Sequence, residues 1–208
     1  MKVLILGSTG GTGQQLVLQS LEHNYEVTAL ARDPSKLNTS HPKLTVIKGN
    51  VLDKNLLAQI IAGKDAVISA LGVGRSLKSG DLMANAVSLL IPAMIEKNVS
   101  RLILLSAFGV GETFAQASFI QKLVFRLPLK NMYVDKAKAD EQVRNSKLDW
   151  TLVYPVLLTD KPRTGKYKAG EKLPMKGMPK VSRADVADFM VRQIADNSYV
   201  RKSPIIMN

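Results

Sequence analysis

The chain has 208 residues, 46% hydrophobic and 22% charged, enough for one sizeable core and short for two, so one domain over residues 1–208 is expected. It has no cysteine, which excludes disulfides, thiolate nucleophiles and thiolate metal sites together. A net charge of +12 suits an anionic ligand, an anionic membrane surface or nucleic acid, but no nucleic-acid motif or basic helix with interleaved aromatics accompanies it.

The first apolar run, "KVLILG" (2–7), is nearly continuous, as in a central parallel strand covered on both faces. It is too short for a signal peptide, and nothing later approaches the ~20 apolar residues of a membrane span, so a cytoplasmic protein is expected. The chain then enters G-x-x-G-x-x-G at Gly7, Gly10 and Gly13, followed by Leu16, Val17 and Leu21 at helical spacing. Each glycine meets a separate physical need, namely a tight turn out of the strand, close approach of backbone to a pyrophosphate, and close packing of helix on sheet. Amides at the helix N-terminus face the phosphates, and Thr9 and Thr12 add hydroxyl donors. The plain alternative is a glycine-rich turn without a ligand.

The second strand, "EVTALAR" (26–32), ends in Ala31, Arg32 and Asp33. At this position a carboxylate binds the ribose hydroxyls of NAD, whereas arginine accommodates a 2′-phosphate. Arg32 leads, so NADP(H) is expected over NAD(H), with Asp33 as the rival ribose ligand. Further strands are read at "LTVIKGN" (44–50), "AVISALG" (66–72), "RLILLSA" (101–107), "WTLVYP" (150–155) and "PIIMN" (204–208). Helices are read around Val87–Ile95, over "VDKAKADEQVRNS" (134–146), and over "SRADVADFMVRQIA" (182–195) with Ser182 as its cap. Strand alternating with helix specifies an α/β, Rossmann-like, doubly wound parallel sheet of about seven strands with helices on both faces. The expected order is 3-2-1-4-5-6, with a seventh strand from the C-terminus and ligands beyond the carboxyl ends of the strands. His23 and His41 fall in loops away from that cleft, and no cluster has metal-ligand spacing, so no metal site is expected. Ser69, Ser106 and Ser118 lack a nearby base, which gives a serine hydrolase no support.

The chain resembles the atypical short-chain dehydrogenase/reductase family, in the NAD(P)H-binding branch of biliverdin-IXβ/flavin reductases and nitrogen-metabolite-repression-type redox sensors. The resemblance runs through "GSTGGTG" (7–13), "ARDPSKL" (31–37), "KGNVLD" (48–53), "ALGVGR" (70–75), "LLSAFGVG" (104–111), "LDWTLVYP" (148–155), "TDKPRTGKY" (159–167) and "SRADVADFM" (182–190). It implies that Gly7, Thr9, Gly10, Thr12 and Gly13 form the pyrophosphate loop and that Arg32 contacts the 2′-phosphate. Asn50 and Val51 would lie along the adenine, although the family usually has Asp at the first of these. Ala70, Leu71 and Gly72 would lie under the ribose with Arg75 behind them, Ser106 near the nicotinamide, and Pro155 and Val156 beside its amide.

Conventional members of the superfamily use Tyr-x-x-x-Lys, in which lysine lowers the phenol pKa for proton transfer. Here Met132 stands four residues before Lys136 and Tyr133 three before it, so the tyrosine acid is read as missing. Flavins and quinones accept hydride without a strong protein acid. The leading expectation is therefore an NADPH-dependent reductase of a planar conjugated acceptor such as FMN, another flavin or a quinone. Ser106 would donate to the acceptor and Lys136 would hold the nicotinamide ribose; the alternatives are a strand-end serine bonded locally and a solvated lysine. Two rival functions are a non-catalytic NADP(H)-binding redox sensor, and an epimerase or carbonyl reductase using Tyr133 or Tyr154 as acid. A monomer or weak homodimer is expected.

Substrate-side elements are read over roughly 108–132 and 156–181. Phe108, Phe114, Phe119 and Phe125 follow the fifth strand, where they would make a floor or lid for a planar acceptor, with Phe108, Phe114 and Tyr133 as substrate contacts. Alternatively Phe119, Leu123 and Leu127 are the core stripe of a short helix, or Lys122, Arg126 and Lys130 make it a membrane-surface helix. The stretch 161–180 holds seven basic residues and one acid, read either as a solvated loop or as a cationic rim at the substrate entrance.

Overall fold

The computed structural model describes residues 1–72, 81–111, 113–116, 130–175 and 177–208. The strands are β1 (Lys2–Leu6), β2 (Glu26–Ala31), β3 (Leu44–Lys48), β4 (Ala66–Ser69), β5 (Arg101–Leu105), β6 (Asp149–Pro155), β7 (Leu157–Thr159), β8 (Lys168–Gly170), β9 (Lys180–Ser182) and β10 (Ile205–Met207). The helices are α1 (Gly11–Glu22), α2 (Lys54–Ile61), α3 (Leu82–Glu96), α4 (Thr113–Gln116), α5 (Lys130–Arg144) and α6 (Arg183–Arg192).

One sheet has the order β3-β2-β1-β4-β5-β6-β10-β8, and β7 pairs with β9 in a separate ribbon. The predicted order 3-2-1-4-5-6 and the C-terminal strand beside β6 are both present, and every pair from β3 to β10 is parallel. The difference is an eighth strand: β8 joins antiparallel to β10, Ile206 opposite Ala169. Its residues carry no apolar run, so only tertiary pairing along the otherwise open edge of β10 makes it a strand. Residues of β4 and β5 are buried throughout, whereas the edge strand β3 is largely exposed. This is the contrast expected between strands covered on both faces and a strand at the rim.

On one side α1 packs against α6, and on the other α3 packs against both α2 and α5. The short helix α2 has no counterpart among the predicted elements. It is started by Asp53, whose Oδ1 accepts from the Leu56 amide at 3.0 Å, the action of an N-cap residue. The N-terminus of α3 is capped from outside: Asp81 makes no side-chain cap, and the buried Asp135 of α5 accepts from the Met83 and Ala84 amides at 3.1 and 2.9 Å. That bond also fixes the angle of α5, which carries Lys136. Asp135→Ala leaves two amides at a buried helix end without acceptors and should lower the unfolding free energy by about 2 kcal/mol in urea titration. Asp135→Asn, which keeps one acceptor oxygen, should lose less.

Candidate active site

A cavity of about 980 Å³ opens beyond the carboxyl ends of the parallel strands. Its first wall is the glycine loop. Gly7 has φ +76°, and a Cβ there would lie 2.5 Å from the Ala70 carbonyl oxygen; a Cβ on Gly13 would lie 2.0 Å from the Gly7 carbonyl oxygen. Both glycines are thus required by the approach of α1 to β1 and β4. Gly10 differs, since a Cβ there would meet nothing of the chain closer than 3.5 Å, so its missing side chain leaves room on the cavity side. The amides of Gly10 and Gln14 bond to the Gly7 and Gly10 carbonyls, while those of Gly11, Thr12 and Gly13 make no backbone bond among the described residues. Three donors at a helix N-terminus, lining a cavity, fit a phosphate group.

The loop is stapled to the end of β2 by two contacts that the sequence pattern did not reveal. Ser8 Oγ donates to the Leu30 carbonyl at 3.0 Å, and Gln14 Nε2 donates to the Thr9 and Lys36 carbonyls at 3.1 and 3.2 Å. Arg32 lines the cavity, is exposed, and has no acidic partner among the described residues. Asp33 does not line it. Its carboxylate accepts from Ser35 Oγ at 2.6 Å and the Ser35 amide at 3.3 Å, and lies 3.5 Å from Lys36 Nζ. These bonds, the side-chain bond to Ser35 first, hold its pKa below the ordinary aspartate value.

Thr9, Thr12, Asn50, Val51, Ala70, Leu71, Gly72, Ser106, Phe108, Tyr133, Lys136, Pro155 and Val156 all line the same cavity. Asn50 closes its own turn, Oδ1 accepting from the Leu52 amide at 3.0 Å. Arg75, Ser118, Phe119 and Phe125 lie outside the described residues, as do Lys122, Leu123, Arg126 and Leu127 of the expected short helix. Phe114 is half-buried and does not line the cavity. The reason is local: Thr113 Oγ1 donates to the Val110 carbonyl at 2.7 Å and accepts from the Gly109 amide at 2.8 Å, which turns the chain after Phe108.

The polar residues at this end of the cavity are held by specific partners. Lys136 is buried, not solvated; Nζ donates to the Leu105 carbonyl at 3.1 Å, and burial lowers its pKa against the pull of Asp140 and Asp135. Ser106 Oγ donates to Asp140 Oδ2 at 2.6 Å, so its one proton is committed away from an acceptor. Tyr133 donates to the Phe108 carbonyl at 3.2 Å, and burial pushes its pKa up to about 12, opposite to the shift an activated phenol needs. Tyr154 is fully buried away from the cavity, bonded to Asp140 Oδ2 and Arg144 Nη2 at 2.7 Å each, with burial and Asp140 raising its pKa. Neither tyrosine has the setting of an acid catalyst.

Asp140 was not singled out in the sequence, although its position four residues after Lys136 places both on one helix face. Only Oδ2 of its carboxyl is bonded; Oδ1 is buried without a partner among the described residues. Burial raises its pKa, against the hydroxyls of Ser106 and Tyr154 and the charges of Lys136 and Arg144.

Of the two readings of the basic stretch, the described residues favour the solvated loop over the rim. Thr164 and Gly165 donate amides to Asp185 Oδ1 at 2.8 Å each, Tyr167 donates to Asp188 at 2.8 Å, and β8 closes the sheet edge. Among its described residues only Met178 and Pro179 line the cavity, so its described lysines do not form a cationic rim there. Among the described residues the charges lining the cavity are Arg32, Lys136 and Arg183 against Asp160, an excess of positive charge beside the glycine loop.

The sequence profile of the NAD(P)H-binding family matches residues 7–197. The chain belongs to that family. It is 30% identical over 176 residues to an uncharacterized chloroplastic protein of Arabidopsis thaliana, an alignment covering 79% of this chain and 61% of the relative's length. Among solved structures, the oxidoreductase ylbE of Lactococcus lactis superposes with a TM-score of 0.82 at 26% identity, over 100% of this chain and 91% of that one. A candidate NADH-flavin reductase of Streptococcus pneumoniae shares the fold, with a TM-score of 0.83 at 22% identity over 100% and 99% of the two chains. In this family member no described helix is long and apolar enough to cross a membrane.

Because the folded chain holds the Asp140 proton more tightly than an unfolded aspartate does, stability from this carboxyl is present at low pH and lost as pH rises through the raised folded value. Asp140→Asn keeps the shape and removes the charge. Urea unfolding between about pH 4 and pH 8 should show wild-type stability falling relative to the variant as pH rises. A difference that is flat or rises with pH contradicts the assignment.

Proposed function

We propose that the chain is an NADP(H)-dependent reductase whose hydride acceptor is a planar conjugated molecule, a flavin or a quinone. The observation that carries the cofactor preference is the division of labour after β2: Arg32 is open on the cavity wall, whereas Asp33 is used within its own turn. An arginine in that place matches a 2′-phosphate, and an aspartate already bonded is a poor ribose ligand. The amides of Gly11 to Gly13 hold the pyrophosphate in this reading, and Ala70 to Gly72, Ser106 and Val156 pass beneath the nicotinamide half.

Bound there, the dinucleotide supplies hydride. The chain's own contribution is alignment and exclusion of water, with Phe108, Met132, Tyr133, Leu157, Leu158 and Met178 as the largely apolar wall at the acceptor end. The absence of an activated tyrosine among the described residues supports an acceptor whose protons come readily from water, and the family's reductases point the same way.

The test is a pair of fluorescence titrations followed by turnover. Wild type should bind NADPH more tightly than NADH, and Arg32→Ala should weaken NADPH roughly tenfold or more, one charge-assisted contact, with little effect on NADH. Loss of reduced-nicotinamide absorbance should then occur with FMN or menadione and not with a simple aldehyde. Equal affinity for the two cofactors refutes the preference, and turnover of the aldehyde alone refutes the acceptor class.

A further inference from the structure

Arg183 begins α6, yet its side chain lies across the start of α1. A Cβ on Gly11 would meet Arg183 Cδ at 2.8 Å, Nε at 3.1 Å and Cζ at 4.0 Å. Gly11 is not one of the three spaced glycines, and the arginine stem occupies the place of its side chain. Arg183 thus shares a wall of the cavity with Gly11 and Thr12, whose amides make no backbone bond among the described residues. Its partner is Asp160, just past β7: Arg183 Nη1 donates to Asp160 Oδ1 at 2.7 Å, and both residues line the cavity. The aspartate side chain is 87% exposed and the arginine 30%. A pair so exposed contributes little and exchanges readily.

A guanidinium fork and helix-terminal amides are two of the strongest phosphate-binding devices a chain has, and here they meet at one place. We infer that Arg183 is a second anchor for the pyrophosphate of the dinucleotide, and that Asp160 is an intramolecular competitor for it, so that cofactor binding exchanges the carboxylate for phosphate oxygens. The inference rests on the dinucleotide reading above. It adds a binding residue from the far end of the chain, whose stem occupies the side-chain place at Gly11. Arg183 recognises the part common to both nicotinamide dinucleotides, whereas Arg32 recognises what distinguishes them.

The full chain is titrated with NADPH, NADH and inorganic pyrophosphate, by calorimetry or by fluorescence with competition. Arg183→Gln should weaken both dinucleotides by the same factor, roughly tenfold or more, and Arg183→Lys should recover part of the loss. Asp160→Asn, at an exposed position where folding is not at stake, should tighten both by about twofold to fivefold and pyrophosphate likewise. A selective loss of NADPH in Arg183→Gln, or unchanged or weaker binding in Asp160→Asn, overturns the inference. If wild type binds neither dinucleotide, the cofactor reading itself fails; if wild type binds and Arg183→Gln is indifferent, only the anchor fails.

Discussion

The close approach of α1 to β1 and β4 is the constraint on which the rest of the site depends. Gly13 sits where any side chain would run into the Gly7 carbonyl, and Gly7 sits against the backbone at Ala70. This packing brings the first turn of α1 down onto the ends of two central strands and leaves the amides of Gly11 to Gly13 facing the cavity. Gln14 and Ser8 then tie the loop to the backbone on either side of Arg32, which holds that backbone beside the start of α1. The two proposed phosphate-binding features are thus joined through a helix, a turn and two side chains bonded to backbone carbonyls.

The other half of the cavity is organised by α5. Asp135 binds the start of α3 and sets the helix in place, which carries Lys136 to the Leu105 carbonyl and Asp140 beneath Ser106. Ser106 thus joins a set with the buried Asp140 and Tyr154 and the half-buried Arg144, in which hydroxyl and guanidinium donors converge on one carboxyl oxygen and one phenol. A floor of this kind is stiff, because breaking any one bond leaves a buried polar group unpaired. Chemistry that needs a labile phenol finds no support among the described residues: Tyr133 on the cavity wall and Tyr154 buried behind it are both held in burial that disfavours the phenolate.

Much of this was legible in the sequence, for physical reasons that also mark where legibility ended. Central parallel strands are continuous apolar runs, so "KVLILG", "AVISALG" and "RLILLSA" announced β1, β4 and β5, and the rule that ligands lie beyond strand ends pointed to Arg32, Ala70 and Ser106. The spaced glycines were readable because each answers a local steric demand. By contrast, β8 exists only through its pairing with β10, and α2 is eight residues announced mainly by the Asp53 cap. Asp140 and Arg183 were missed because neither acts through local sequence: one is met by Ser106 and Tyr154 across the fold, the other by Gly11 from the opposite end of the chain. For 161–180 the charge pattern left a solvated loop and a cationic rim both open, because Asp185 and the sheet edge, not charge, decide where that segment lies.

The central claim is that the start of α1, together with Arg32, receives the phosphates of NADP(H). A crystal structure of the chain with NADP⁺ bound tests this most directly. Pyrophosphate oxygens are expected on the amides of Gly11 to Gly13 and the 2′-phosphate at the Arg32 guanidinium. A dinucleotide whose ribose is held by Asp33, or whose pyrophosphate lies away from the N-terminus of α1, would contradict it.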